Sequence, residues 1–287
     1  MSSTKSAAGF SPELRASLYH FTVFGATGVA SAYLSVWLSG KGLSSGEIGM
    51  INSAPVLLLL FLNIYIGRLA DRARDWRDVV IVLSGVAAIA SLALFFVSDF
   101  WGLLLVYAAI SLPAGAVVPI IDAATLRMTQ RRGTDFGFVR AWGTVGYTVT
   151  AALSGLAIGW LGAWSFVPLF VGFTFLRALL ALLLPHFRGE DRNAPRPVRA
   201  ALPAAARLGP LLRPWFLLPL IAFALIQSTH YFISVMGSLV WSQQGIADYW
   251  LGPLIAVSAA AEAVMMFFWR RVGKRFGARN LLIIAGL

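Results

Sequence analysis

FWGLLLVYAAISLPAGAVVPIIDAATL, residues Phe100–Leu126, carries one charge, Asp122, and runs directly into RMTQRRGTDFGFVR, residues Arg127–Arg140, with four arginines. A helix rises about 1.5 Å per residue, so about 20 apolar residues cross a hydrocarbon core roughly 30 Å thick. The first segment is long enough to span a membrane, and the arginines mark the end that stays in the cytoplasm. Reading outward, the pattern recurs along the whole chain. Of the 23 Lys and Arg residues, 21 fall into five clusters: Lys5 and Arg15; Arg68 to Arg77; Arg127 to Arg140; Arg188 to Arg213; and Arg270 to Arg279. Only Lys41 and Arg177 lie elsewhere. The expected spans are Ser17–Ser39, Ile48–Gly67, Val79–Ser98, Phe100–Leu126, Phe136–Leu161, Trp164–Pro185, Pro214–Trp241 and Tyr249–Trp269, with a ninth starting near Asn280.

Composition agrees with this pattern. The 287 residues are 59% hydrophobic and 12% charged, with a mean hydropathy of +0.78. A soluble domain carries about twice that charged fraction. The net charge of +11 does not point to nucleic acid, because the basic residues sit at span ends and not on one face of a soluble domain. With no cysteine, thiolate metal sites, disulfides and Cys nucleophiles are excluded. The short polar N-terminus lacks a small-residue cleavage site after the first apolar run, which reads as a retained helix.

The fold class that follows is all-α: a polytopic membrane bundle of eight spans plus the start of a ninth, with a cytoplasmic N-terminus. Its expected parts are an N-terminal tail over 1–16, a six-helix half over 17–185, a cytoplasmic linker over 186–213 and a partial second half over 214–287. The linker holds six Arg and four Pro, with a short surface helix expected around Ala204 to Leu208. The chain also repeats: adding 203 to Gly42, Gly49, Arg68 and Arg72 gives Gly245, Gly252, Arg271 and Arg275. An offset of six spans implies two related halves. The last apolar run stops at Leu287, and a helix ending inside lipid leaves carbonyls unsatisfied. The expectation is therefore a C-terminally truncated piece of a twelve-span protein.

Gly67-Arg-Leu-Ala-Asp71-Arg72, placed in the loop after the second span, resembles the signature loop of the major facilitator superfamily, although Arg74 stands where that pattern has a second Gly. The resemblance implies that Gly67, Asp71 and Arg72 form a gating motif in which Asp71 contacts a neighbouring helix end and holds the cytoplasmic side shut. The alternative is that these charges only orient the loop. Further segments are Pro119-Ile-Ile-Asp122, Arg140-Ala-Trp142-Gly143-Thr-Val-Gly146, Gln227-Ser-Thr-His230-Tyr231, Gly237-Ser-Leu-Val-Trp241 and Ala261-Glu262. Together they resemble the phenylpropionate permease family, related to nucleoside and oligosaccharide proton symporters. That resemblance implies a solute site between two six-helix halves, a monomer, and transport coupled to protons.

The intramembrane ionisable groups stand out without any family name. A charged residue at the centre of a span costs roughly 2.5–3.5 kcal/mol on insertion scales, so it faces a partner or an aqueous cavity. The set is His20, Asp122, Arg177, His230 and Glu262, with Arg140 at a span edge. Glu262 and Asp122 are the candidate proton-coupling residues. For Glu262 the alternative is a structural partner to a nearby helix, and for Asp122 it is a gate residue or the partner of a loop arginine. Arg140, Gln227 and His230 are the candidate solute contacts. Arg140 either clamps a carboxylate with its planar fork or reaches back to the headgroups, its first-turn position favouring the second. Gln227 and His230 share a helix face and bind solute or a neighbouring helix. Arg177 is expected to snorkel or to pair with an acid.

The function expected is secondary active transport: proton symport of a small organic solute across the inner (plasma) membrane, with an aromatic acid favoured if Arg140 faces the cavity. A sugar or nucleoside symporter and an inactive truncated remnant are the alternatives. An enzyme is not expected, since the three His residues are scattered. The partners expected are the lipid bilayer, the solute and protons, with no nucleic acid, no cofactor and no metal.

Overall fold

The computed structural model describes residues 10–188 and 213–285. It contains α1 (Pro12–Gly40), α2 (Ser45–Arg72), α3 (Trp76–Ser91, extended by a 3-10 turn to Phe95), α4 (Phe100–Arg132), α5 (Phe136–Leu161), α6 (Phe166–Ala181, preceded by the 3-10 turn Ala163–Ser165), α7 (Pro214–Gln243) and α8 (Asp248–Ala285). The described residues form no strand. The first seven helices, with those 3-10 turns, are long and apolar enough to cross a membrane. α8 contains a left-handed break at Gly277 (φ 73°), where the eighth helix gives way to the start of the next. The expected helix at Ala204 to Leu208 and most of the linker lie outside the described residues.

Helix ends follow from local chemistry. Ser44 and Glu47 form a reciprocal capping box at α2, with Glu47 accepting from the Ser44 N–H at 2.8 Å. Asp75, Asp99 and Asp135 cap α3, α4 and α5 by accepting backbone N–H bonds of 2.7–2.9 Å. Each satisfies a donor that the helix start leaves free. These acids are used at helix starts, so they do not compete for a role inside the bundle. The repeat is visible in the backbone. Gly42 (φ 88°) and Gly245 (φ 85°) both take the left-handed conformation just after α1 and α7, which glycine adopts without steric cost. α1 ends at Gly40 and α7 at Gln243, again 203 residues apart.

Two boundaries differ from the sequence expectation. α2 continues through Gly67, Asp71 and Arg72, so the signature segment forms the last turns of a helix and not a loop. Its Leu, Ala and Arg residues are good helix formers, and the connection to α3 shrinks to Ala73–Asp75. α4 continues to Arg132, six residues beyond the expected Leu126. Asp122 therefore lies ten residues from the cytoplasmic end of its helix, roughly 15 Å at helical rise, and not near the rim.

Lipid offers apolar side chains no incentive to hide, so helices associate through close packing of small residues and through hydrogen bonds. α1 and α5 approach until a Cβ on Gly146 would overlap the Phe21 carbonyl oxygen, and the Thr150 hydroxyl donates to the Gly25 carbonyl at 2.8 Å. On the outer side a Cβ on Gly252 of α8 would overlap the Ala151 carbonyl of α5. The Tyr33 hydroxyl donates to the Asp248 carbonyl and accepts from the Gly252 N–H at 3.2 Å, stitching α1 to the first turn of α8. Ser35 donates to the Val235 carbonyl at 2.6 Å, joining α1 to α7.

The apolar core divides in two along the membrane normal. The outer cluster joins Val29, Leu38, Ala151 and Phe166 to Leu239, Leu251 and Ile255 of α7 and α8. The inner cluster, built around Tyr19, Val80, Ile121 and Phe187, draws only on α1–α6 and the segment after α6. Among the described residues, the core contacts that α7 and α8 make with the first six helices lie in the outer cluster.

Candidate functional site

A charged cluster lies where the halves part. Arg140 of α5 approaches Asp122 of α4, Nε to Oδ1, at 3.2 Å. Its guanidinium lies 4.0 Å above the centre of the Phe24 ring of α1. Gly143 makes that fold-back possible, since a Cβ there would come within 2.6 Å of the Phe24 ring and 2.9 Å of the Arg140 Nη1. The Asp122 and Arg140 side chains are 32% and 23% exposed, so solvent reaches the pair from the cleft. Arg140 turns inward to a carboxylate and an aromatic face, against the snorkelling that its first-turn position favoured. Behind the pair sits His20 of α1, fully buried. Its Nδ1 faces Asp122 Oδ1 at 3.8 Å and its Nε2 lies 3.3 Å from the Thr125 hydroxyl.

The second half contributes less. Glu262 of α8 is exposed on the side of the cleft that looks at α5, within electrostatic reach of Tyr147, whose hydroxyl in turn bonds Ser31. Gln227 and His230 are exposed on α7, neither side chain is hydrogen-bonded among the described residues, and the structure does not bring them to Arg140. The neighbouring Tyr231 lies within electrostatic reach of Tyr107 on α4. Two shallow surface pockets, about 160 and 170 Å³, lie at Tyr65–Arg72 on α2 and Pro168–Leu176 on α6, away from the charged cluster.

Two further placements differ from expectation. Arg177 neither snorkels nor pairs with an acid. It is 2% exposed, lies near Tyr19, and its Nε and Nη2 have no hydrogen-bond partner among the described residues. The side chains of Asp71 and Arg72 stay exposed, and Gly67 has open space where a Cβ would go.

The cytoplasmic fastening comes from residues that the sequence did not single out. Arg188 Nη1 donates to the Ala73 carbonyl and its Nη2 to the Asp71 carbonyl, each at 2.8 Å, capping α2. Asp75 accepts the N–H groups of Phe187 and Arg188 at 3.3 Å. Trp76 lies between the guanidinium groups of Arg127 (4.5 Å) and Arg188 (5.2 Å), a cation–π geometry. The Asp before Trp at a helix start is the one sequence signal for this clasp. It ties the α6 exit to α2, α3 and α4. Among the described residues no group of His, Asp and Glu has the geometry to hold a metal.

Comparison with known proteins points in one direction. The profile of the MFS_1 like family matches residues 14–287. The chain is 24% identical over 277 residues to the probable 3-phenylpropionic acid transporter of Escherichia coli (strain K12), covering 94% of this chain and 70% of that relative. It is 28% identical over 287 residues to the maltose permease of Geobacillus stearothermophilus, covering 94% and 67%. The fold superimposes on the crystal structure of the nucleoside transporter NupG with a TM-score of 0.71 at 16% identity, covering 94% of this chain and 70% of that one.

Proposed function

This chain belongs to the MFS_1 like family and is a multi-pass membrane transporter; from that premise we propose that it is a proton-coupled symporter of a small organic anion in the inner (plasma) membrane. The observation that carries the proposal is the Arg140 arrangement. Asp122 holds the Nε edge and Phe24 covers one face. The Nη edge remains for a carboxylate, which a guanidinium binds in a planar, two-pronged manner. Phe24 then lies beside the tail of the solute. A carboxylate with an aromatic tail, similar to a phenylpropionate, matches both groups.

Coupling requires a group that gains and loses a proton as the cleft changes sides. Asp122 and Glu262 are the two acids within the described spans that face the cleft, and we assign the role to them. Gln227 and His230 complete the solute site when the second half swings toward α5. Asp71 and Arg72, with Gly67, act at the cytoplasmic mouth as the gating turn. The solute exchanges between the halves near the bilayer midplane as they rock.

A sugar or nucleoside is the second reading. It is favoured by the polar, hydrogen-bonding surface of Gln227 and His230 on α7 and by the likeness to a maltose permease. Purified protein in liposomes containing a pH-sensitive dye separates the two. 3-Phenylpropionate is expected to drive proton entry, while maltose and uridine are not. Proton entry with maltose or uridine alone would favour the second reading, and none with any of the three would end the symport proposal.

A further inference from the structure

His20 has no role in the reading above, yet its position is specific. It is fully buried on α1. From α4 it is faced by Asp122 and Thr125, and from α5 by Arg140. The buried Arg177 of α6 lies instead beside Tyr19. His20 Nδ1 is a buried atom without a hydrogen-bond partner among the described residues, and at 3.8 Å it faces Asp122 Oδ1, the oxygen that Arg140 Nε approaches at 3.2 Å. Leaving a buried polar atom unpaired is costly, and a closing movement of about an ångström brings His20 Nδ1 within hydrogen-bond distance of Asp122.

We infer that His20 is the second partner of Asp122, and that the coupling proton is held between these two side chains while the solute occupies Arg140. The inference rests on the symport proposal and specifies where its proton sits. Charge balance gives the reason. With Arg140 cationic, Asp122 anionic and His20 neutral, the cluster sums to zero. A solute carboxylate that takes Arg140 breaks the ion pair with Asp122 and leaves the cluster at −1. Uncompensated charge out of water costs several kcal/mol. One proton, entering from the cleft through the exposed edge of Asp122, restores the sum to zero. It bonds either to the Asp122 carboxyl or to the free ring nitrogen of His20, whose other nitrogen stays with Thr125. In both forms the Asp122–His20 contact becomes a hydrogen bond as the Asp122–Arg140 contact opens. Asp122 thus exchanges one partner for another, and the anion and the proton cross together. His20 touches no solute and acts through Asp122, so it is a positioning residue.

The test has two arms. In liposomes with 3-phenylpropionate as the probe, His20→Gln is expected to lower the ratio of proton-driven accumulation to solute exchange roughly tenfold and to flatten its pH profile. Asp122→Asn should do the same, with the double variant no worse than Asp122→Asn alone, as expected for residues acting as a unit. Accumulation and a pH profile like wild type in His20→Gln would overturn the inference. The second arm needs no solute. The chain has three histidines, so ring-nitrogen-labelled protein gives an assignable NMR signal for His20 by comparison with His186→Asn and His230→Asn. A pH-dependent His20 signal that Asp122→Asn displaces supports the shared proton. A signal fixed at all pH values, and the same in Asp122→Asn, overturns it even where transport is intact. If wild type moves no proton with any solute, the symport proposal fails by itself, and the NMR arm still decides the His20–Asp122 contact.

Discussion

Replacing Arg140 with lysine keeps the charge but removes the planar fork and the flat surface lying over Phe24. Hydrogen bonds to a charged group contribute about 1.5–3 kcal/mol each, so one lost contact corresponds to about ten- to a hundredfold weaker binding. Arg140→Lys is expected to raise the apparent KM for 3-phenylpropionate by that factor in uptake assays, and an unchanged value would remove Arg140 from the solute site. Glu262→Gln tests the other acid of the cleft: accumulation should disappear while exchange of labelled for unlabelled solute continues, whereas normal accumulation would exclude Glu262 from coupling. The identity of the ionisable residues was legible in the sequence, because any charge inside an apolar run demands a partner. Their partnerships were not. Asp122 meets Arg140 and His20 from different helices, and only the crossing of α1, α4 and α5 brings them together. Arg177 shows the limit plainly, since it lies beside Tyr19, whose hydroxyl bonds Ser84, where an acid was expected.

Helices were legible because in lipid every backbone group must be satisfied within the segment, which makes apolar length a strong signal. Capping by Asp99 and Asp135 and the left-handed Gly42 and Gly245 fix the ends that hydropathy locates only loosely. Apolar length misjudged α2 and α4, whose last turns are polar and still helical. The outer seam between α1, α5 and α8 was hidden, because Tyr33 carries no signal in the sequence and Gly252 stood only as a mark of the repeat. Gly252→Val should force α8 away from the Ala151 carbonyl. Overpacking of this kind costs about 1–3 kcal/mol, and the expected result is a lower melting temperature in detergent; an unchanged one would contradict the close contact. Tyr33→Phe keeps the buried ring but removes the bonds to the start of α8. Since a net hydrogen bond contributes about 0.5–1.5 kcal/mol, an Ala256→Cys reporter under the seam should label from the outside up to about tenfold faster. A label rate that does not change would show that Tyr33 does not hold the seam.

At the scale of the whole molecule, the outer core joins both groups of helices, and among the described residues the inner core draws on one. The Asp75–Arg188 clasp fastens the exit of α6 to α2 and α3. The 203-residue repeat made two halves legible from the sequence, yet nothing in it told which side stands open, because that depends on which contacts between the halves are closed. The natural absence of cysteine makes the most direct test clean. Thr144→Cys places one thiol on α5 a turn from Arg140, and its reaction with a membrane-impermeant reagent is followed from each side. Alternating access predicts labelling from the cytoplasmic side at rest, and a shift to the outer side when solute and an inward proton gradient are applied. Reaction from one side only, under every condition, would contradict a cleft that carries solute across the membrane.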